Sequence, residues 1–184
     1  DITGLQPNTR YYYQVGQSHK RRCDRISSTC TAPEPATPYR IFTLSDIHGN
    51  EHRFNSILKQ INLQSEDTLY VLGDVIDRHP GGIRILRRIM AMPNVKMLLG
   101  NHEYMMLRAL GHPYDPYDPT SEVIREDATE HWYRNGGKVT HDHWKRIRKS
   151  LRSEIIRYLL DLPLNIDVEV NGIAYKLVHG APMD

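Results

Sequence analysis

Asp46 and His48 stand two residues apart at the end of a short apolar run, Ile41-Phe42-Thr43-Leu44-Ser45, and Gly49-Asn50 follows at once. One carboxylate oxygen and one imidazole nitrogen make a donor mixture suited to Zn, Fe or Mn. Residues i and i+2 of a strand lean to the same side, so both can face one ion. An Asp-x-His pair is also common at ordinary turns, so alone it decides little. Its recurrence decides more. A strand-like run at 68–72 ends in Gly73-Asp74-Val75-Ile76-Asp77-Arg78, another at 95–99 ends in Gly100-Asn101-His102-Glu103, and a third at 174–178 ends in His179-Gly180. Four apolar runs thus stop at Asp, His or Asn beside a glycine. In an open α/β sheet, ligands bind in the crevice outside the strand ends.

The elements that must position these residues follow from periodicity. Residues 41–50 read as a buried strand leaving through a Gly-Asn turn. Residues 52–61 form an amphipathic helix with Phe54, Ile57, Leu58 and Ile61 on one face and His52 on the surface. Strand, helix and the 68–72 strand make a βαβ unit. A second helix, 81–92, turns Ile83, Leu86, Ile89 and Met90 inward and is stopped by Pro93-Asn94. Helix 104–110 continues from Glu103, which makes Met105, Met106 and Leu107 core.

Residues 111–120 are rich in Pro, Asp and Tyr, and read as a solvated connector sooner than as a substrate-facing flap. Residues 121–133 and 143–160 are expected to be helices of an inserted cap. The second carries Trp144, Ile147, Leu151, Ile155 and Leu159 as an apolar stripe. Lys145, Arg146, Arg148, Lys149, Arg152 and Arg157 lie opposite. No aromatic interleaving accompanies that basic face, so it reads as solvated, and nucleic acid is not an expected partner. His131, His141 and His143 match no ligand motif. Strands 165–170 and 173–178 flank Asn171-Gly172, a strong two-residue hairpin signal, and that hairpin delivers His179.

Composition sets the outer bounds. The chain has 184 residues, 39% hydrophobic and 25% charged, with net charge +2. That is ordinary for a globular protein and says little about partners. No stretch approaches the roughly 18 apolar residues of a membrane span. The chain opens at Asp1 without Met and reads as a fragment cut at both ends, so a leader peptide cannot be assessed. Cys23 and Cys30 are compatible with a disulfide or with two free thiols.

The ordered set Asp46-x-His48-Gly49, Gly73-Asp74-x-x-Asp77-Arg78, Gly100-Asn101-His102-Glu103 and His179-Gly180 resembles the calcineurin-like metallophosphoesterases. The Asp77-Arg78 pair resembles their phosphoprotein phosphatase branch, which includes bacterial serine/threonine phosphatases and symmetrical diadenosine tetraphosphatases. Residues 132–140, Trp-Tyr-Arg-Asn-Gly-Gly-Lys-Val-Thr, are similar to a segment of the bacterial members. The resemblance runs from about Tyr39 onward. It implies a four-layer α/β/β/α sandwich, here C-terminally truncated, with a helical cap at about 121–160. Residues 1–32 lie outside this pattern. Leu5 to Val15 resembles the penultimate strand and tyrosine corner of a fibronectin type III domain, with Tyr11 as the corner residue. Residues 33–38, proline-rich, read as a stiff linker before the catalytic domain 39–184.

The resemblance implies two divalent metal ions, with Mn favoured over Fe or Zn. Asp46 and His48 would hold the first ion, Asp74 would bridge, and Asn101 and His179 would hold the second. His102 would be the general acid, Asp77 its carboxylate partner, and Arg78 with Asn101 the phosphate-binding pair. Glu103 reads as a helix-start or supporting residue. The pattern departs from the family at His79-Pro80, where Gly is usual. It also lacks a further ligand His and a phosphate-binding Arg, expected beyond Asp184. On that ground the 1–184 piece is expected to be weakly active and the full-length protein active. The implied function is hydrolysis of phosphoserine/phosphothreonine or small phosphomonoesters. Symmetrical dinucleoside tetraphosphate hydrolysis is the alternative, and a non-catalytic adhesion or scaffold module the alternative of another class. The phosphatase part suggests the cytoplasm and the fibronectin-like part an extracellular setting; oligomeric state stays open.

Overall fold

A computed structural model describes residues 40–112 and 127–180. The fibronectin-like segment, the proline-rich linker, Cys23, Cys30 and most of the 111–120 connector lie outside the described residues. Beyond Arg40, everything described belongs to one compact unit, Ile41–Asp184.

Three parallel strands, β1 (Ile41–Leu44), β2 (Thr68–Val71) and β3 (Val95–Met97), form a sheet in the order β1-β2-β3. Leu44 lies opposite Val71, and Val71 opposite Met97, so the three strands end side by side along one edge. β2 is central and buried. β1 is an edge strand of this sheet, with Phe42 and Leu44 only partly buried and Thr43 exposed. The expectation of a buried first strand is therefore corrected: its composition is apolar, but no described strand covers its outer side.

Helices α1 (Glu51–Ile61), α2 (Gly82–Met90) and α3 (Asn101–Ala109) follow the three strands. Asn50 caps α1 by accepting the amide of Arg53 at 3.0 Å, and Asn62 ends the helix in a left-handed conformation. The inward residues are those the helical period selects. Phe54 and Leu58 of α1, Ile83, Leu86 and Ile89 of α2, and Met105, Met106 and Leu107 of α3 are buried in one core.

Three further helices follow: α4 (Ala128–Arg134), α5 (Lys138–Trp144) and α6 (Lys149–Leu160). The single helix expected over 143–160 is corrected to two, broken at residues 145–148. The break is held by Arg152, which donates to the carbonyls of Ile147 (3.1 Å) and Lys145 (2.6 Å) and lies over the Trp144 ring. Arg152 is thus engaged with backbone, unlike the solvated face expected for it. Trp144, Leu151, Ile155 and Leu159 are buried as the stripe predicts. β4 (Asn165–Val170) and β5 (Ile173–Val178) form an antiparallel ribbon joined by Asn171-Gly172, both at positive φ (53° and 77°), which matches a type I′ turn.

Candidate metal centre

The loops leaving β1, β2 and β3 lie against one another, and glycine makes that approach possible. A Cβ on Gly73 (φ +92°) would stand 2.6 Å from the Gly100 Cα and 3.0 Å from His179 Nδ1. The same loops hold five side-chain-bearing residues in the left-handed region: Asp46 (55°), His48 (45°), Asp74 (55°), Asp77 (71°) and Arg78 (61°). Non-glycine residues there carry strain that the surroundings must offset, and such strain concentrates at functional sites.

Much of that support is backbone and Glu103. The amides of His48 and Gly49 donate to the carbonyls of Asp74 (2.9 Å) and Val75 (2.7 Å). Glu103, fully buried, accepts four amides: Asp74 (2.9 Å) and Gly100 (3.1 Å) at Oε2, Val75 (2.8 Å) and Ile76 (3.2 Å) at Oε1. Burial and the Asp74 charge push its carboxyl up to about 7, with the amide donors pulling the other way. His79 stands where glycine is usual, and it closes the loop. Its Nδ1 meets the His48 carbonyl at 2.9 Å, and its amide donates to the Asp77 carbonyl at 2.6 Å.

The candidate ligands of the first position come together. His48 Nδ1 lies 3.3 Å from the Ile76 carbonyl, which assigns the hydrogen to Nδ1 and leaves the Nε2 lone pair facing Asp46 Oδ1 (3.5 Å) and Asp74 Oδ2 (3.8 Å). Burial lowers the His48 pKa, with the charges of Arg78 and His102 acting the same way against the Ile76 carbonyl and Asp74. A neutral nitrogen lone pair, buried without a hydrogen-bond partner and aimed at two carboxylate oxygens, fits a cation between them.

Asp74 is buried, yet its carboxyl is held below the usual range. Desolvation opposes ionisation, and the His179 bond, the His102 amide (3.0 Å) and the two imidazole charges more than offset it. His179 arrives from the end of β5, with Nδ1 2.5 Å from the Leu72 carbonyl and Nε2 3.3 Å from Asp74 Oδ1 and 2.9 Å from Asn101 Oδ1. Its pKa is pushed up to about 9, first by the Asp74 bond. The Asn101 amide oxygen also faces both Asp74 oxygens, at 3.2 and 3.1 Å. Either the amide turns over to donate there, or a cation sits between the acceptors. All five residues expected as ligands therefore gather at one strand edge. His48, Asp74 and His102 also bring their donor atoms within 4.8 Å of one another.

Beside this cluster His102 is 2% exposed. Its Nδ1 lies 2.7 Å from Asp77 Oδ2, and its Nε2 faces Asp74 Oδ2 at 3.8 Å and Arg78 Nη2 at 3.4 Å. Burial pulls the His102 pKa down, but the Asp77 bond and the charges of Asp74, Asp77 and Glu103 leave it above the ordinary histidine value. His131 lines a recess with Tyr104 and Arg108 that Asn101 also borders, and His141 pairs with the Tyr133 hydroxyl at 2.6 Å.

Two supporting groups were not singled out by sequence reasoning, Trp132 and Thr140, and His79 stood out only as a departure from the expected glycine. Trp132 Nε1 donates to Asp77 Oδ2 at 2.8 Å, and the Asp77 amide donates to Thr140 Oγ1 at 2.9 Å. A Trp eight residues before a Thr matches no ligand or catalytic pattern. Only the likeness of residues 132–140 to a bacterial segment hinted at more.

Residues 39–181 match the family model described as calcineurin-like phosphoesterase. Among curated proteins, the chain is similar to the symmetrical bis(5'-nucleosyl)-tetraphosphatases of Salmonella paratyphi A and Cronobacter sakazakii. Each is 27% identical over 113 residues, covering 58% of this chain and 40% of the relative. The chain thus spans about 40% of the length of these relatives. Among solved structures, a metallophosphoesterase from Sphaerobacter thermophilus is 18% identical, with TM-score 0.41 over 68% of this chain and 42% of that one.

Proposed function

The chain belongs to the calcineurin-like phosphoesterase family, and from that premise we propose that the cluster at the strand edge hydrolyses phosphoric esters with the help of two divalent cations. The observation that carries the reading is the His102–Asp77 pair, whose second nitrogen, Nε2, faces the same carboxylate as the buried, unpartnered Nε2 of His48. Asp46, His48, Asp74, Asn101 and His179 would hold the cations, Asp74 between them; Mn suits this mixture of oxygen and nitrogen donors, as do Fe and Zn. Bound there, cations supply an acidified water and neutralise charge on the phosphoryl group.

The chain's own residues do the rest. Arg78, with a planar fork of donors, grips phosphoryl oxygens and opposes their growing charge, with Asn101 beside it. As the water oxygen bonds to phosphorus, the bond to the leaving oxygen breaks and that oxygen keeps the electron pair. His102 Nε2 hands it a proton; the water loses one to solvent, and solvent reprotonates the imidazole. Asp77 holds Nδ1 so that Nε2 faces the leaving group, and favours the protonated ring.

Phosphomonoesters, including phosphoserine and phosphothreonine peptides, are the first substrate class. A second reading, dinucleoside tetraphosphate hydrolysis, is supported by the curated relatives whose names state that activity. The test is an assay of the intact protein with Mn on para-nitrophenyl phosphate, a phosphopeptide and diadenosine tetraphosphate. Turnover of the first two alone favours the phosphomonoesterase, and preference for the third favours the second reading. Turnover of none overturns both and leaves a non-catalytic scaffold. Asp74→Asn is expected to abolish Mn binding, whereas His102→Asn spares binding and cuts turnover.

A further inference from the structure

Asp77 and Arg78 are held from one direction by a short helical segment. The amide of Asp77 donates to Thr140 Oγ1 (2.9 Å), the amide of Arg78 donates to the Gly136 carbonyl (3.1 Å), and the indole Nε1 of Trp132 donates to Asp77 Oδ2 (2.8 Å). That oxygen is the one His102 Nδ1 meets at 2.7 Å. Trp132 and Asp77 are fully buried, and Thr140 is 2% exposed. The indole lies flush on Gly137, where any Cβ would overlap it, so the segment is shaped to seat this ring. Tyr133 and His141 pack tilted against its faces.

We propose that Trp132 is a positioning residue for the proton-donating step, and that residues 128–144 serve as the frame that holds the Asp77–Arg78 pair. The inference rests on the hydrolase reading above and deepens it. Asp77 Oδ1 has no partner, so Oδ2 alone fixes the carboxylate in its pocket. Two donors reach Oδ2, and only one of them moves chemistry. The indole N–H is a donor without acceptor capacity, so it anchors the oxygen without competing for the proton that His102 carries. Without it, the carboxyl group is tethered only by the ring it is meant to orient. The Nε2 of His102 then no longer points steadily at the leaving oxygen, while the cation ligands, to none of which the indole N–H donates, stay in place.

Leaving-group dependence separates this role from a merely structural one. para-Nitrophenolate departs without much help from an acid, whereas phenolate needs the proton. In the intact, Mn-loaded protein, Trp132→Phe keeps a buried aromatic ring and removes the donor. Its kcat on phenyl phosphate is expected to fall about tenfold or more, against less than about threefold on para-nitrophenyl phosphate, with KM and Mn affinity unchanged. Thr140→Val, nearly isosteric, should give the same ester-selective loss, and Thr140→Ser should restore activity, so the test stands even where the Phe variant does not fold. Equal losses on both esters, or no loss on phenyl phosphate, would overturn the inference while leaving the hydrolase reading intact. A wild-type protein inert toward both esters overturns the two together.

Discussion

Glu103 reaches from the first turn of α3 to the amide of Asp74, 2.9 Å away, so the residue expected to bridge two cations is held from behind by a second carboxyl group. The same side chain takes the amides of Val75, Ile76 and Gly100. Glu103→Ala would leave four buried donors without an acceptor, each worth about 1–3 kcal/mol when unsatisfied. Water entering the gap reduces that sum, so a loss of at least about 2 kcal/mol in denaturant unfolding is expected, together with weaker Mn binding. Glu103→Gln keeps the Oε1 acceptor and should lose less. An unchanged unfolding midpoint in the Ala variant would refute the support role.

Protons should leave when the metal enters. His179, pushed up to about 9 by Asp74, carries a proton at neutral pH in the metal-free protein. Its folded pKa lies above the unfolded value of 6.5. Its contribution to metal-free stability is therefore complete below about pH 6.5 and disappears as pH rises through about 9. A cation needs the Nε2 lone pair, so Mn binding at pH 7.5 should release close to one proton from this residue, and affinity should rise with pH up to about 9. Titration of Mn in a weak buffer with a pH indicator measures it. His179→Ala should abolish that proton release; a wild-type protein that releases none would remove the assignment.

Arg78→Lys keeps the charge and loses the planar fork. Removing one preorganised donor to a developing anion typically costs about 10²–10³ in kcat, and a fall near the lower figure is expected, with Mn affinity unchanged. Steady-state kinetics beside a Mn titration decide it. Loss of metal binding would mean that Arg78 supports the loop, whose amide already bonds Gly136, rather than the phosphoryl group.

The candidate site was legible in the sequence to an unusual degree because each strand ends in its own short motif. Asp46, His48, Asp74 and Asn101 need only a common edge to meet, which parallel register supplies, and His179 reaches the same edge from the end of β5. Asp77 beside His102 followed from the same motifs. What periodicity could not show was sideways support. Trp132 and Thr140 lie on α4 and α5, and a hydrogen bond to a residue 55 or 63 positions away leaves no trace in local pattern. The single helix drawn over 143–160 failed for a related reason. The apolar stripe continues through Ile147, while the break is made by Arg152 bonding backward to Lys145 and Ile147. The buried reading of β1 failed because apolar composition does not reveal which strand ends up at a sheet's border.

Chelation should act on stability as well as on turnover. Carboxylate oxygens and the His48 Nε2 lone pair now face one another across the site, at 3.5 Å for Asp46 and 3.8 Å for Asp74. A bound cation removes that repulsion and stabilises only the folded chain. Mn at a hundred times its Kd is expected to add about 2.7 kcal/mol, read as a rise in Tm that EDTA reverses. A Tm indifferent to Mn would contradict the ligand assignments.

The β4–β5 ribbon has a consequence of its own. Among the described residues it pairs with no third strand, and Ile173 and Tyr175 are 56% and 49% exposed on it. The end of β5 away from the turn nonetheless delivers His179 to a centre built otherwise from the first sheet. A cation held by His179 and Asp74 would therefore work as a latch fastening one sheet to the other. Stripped of metal, the ribbon is freer to lend its open edge to a neighbour, so a depleted preparation should betray itself first by clumping.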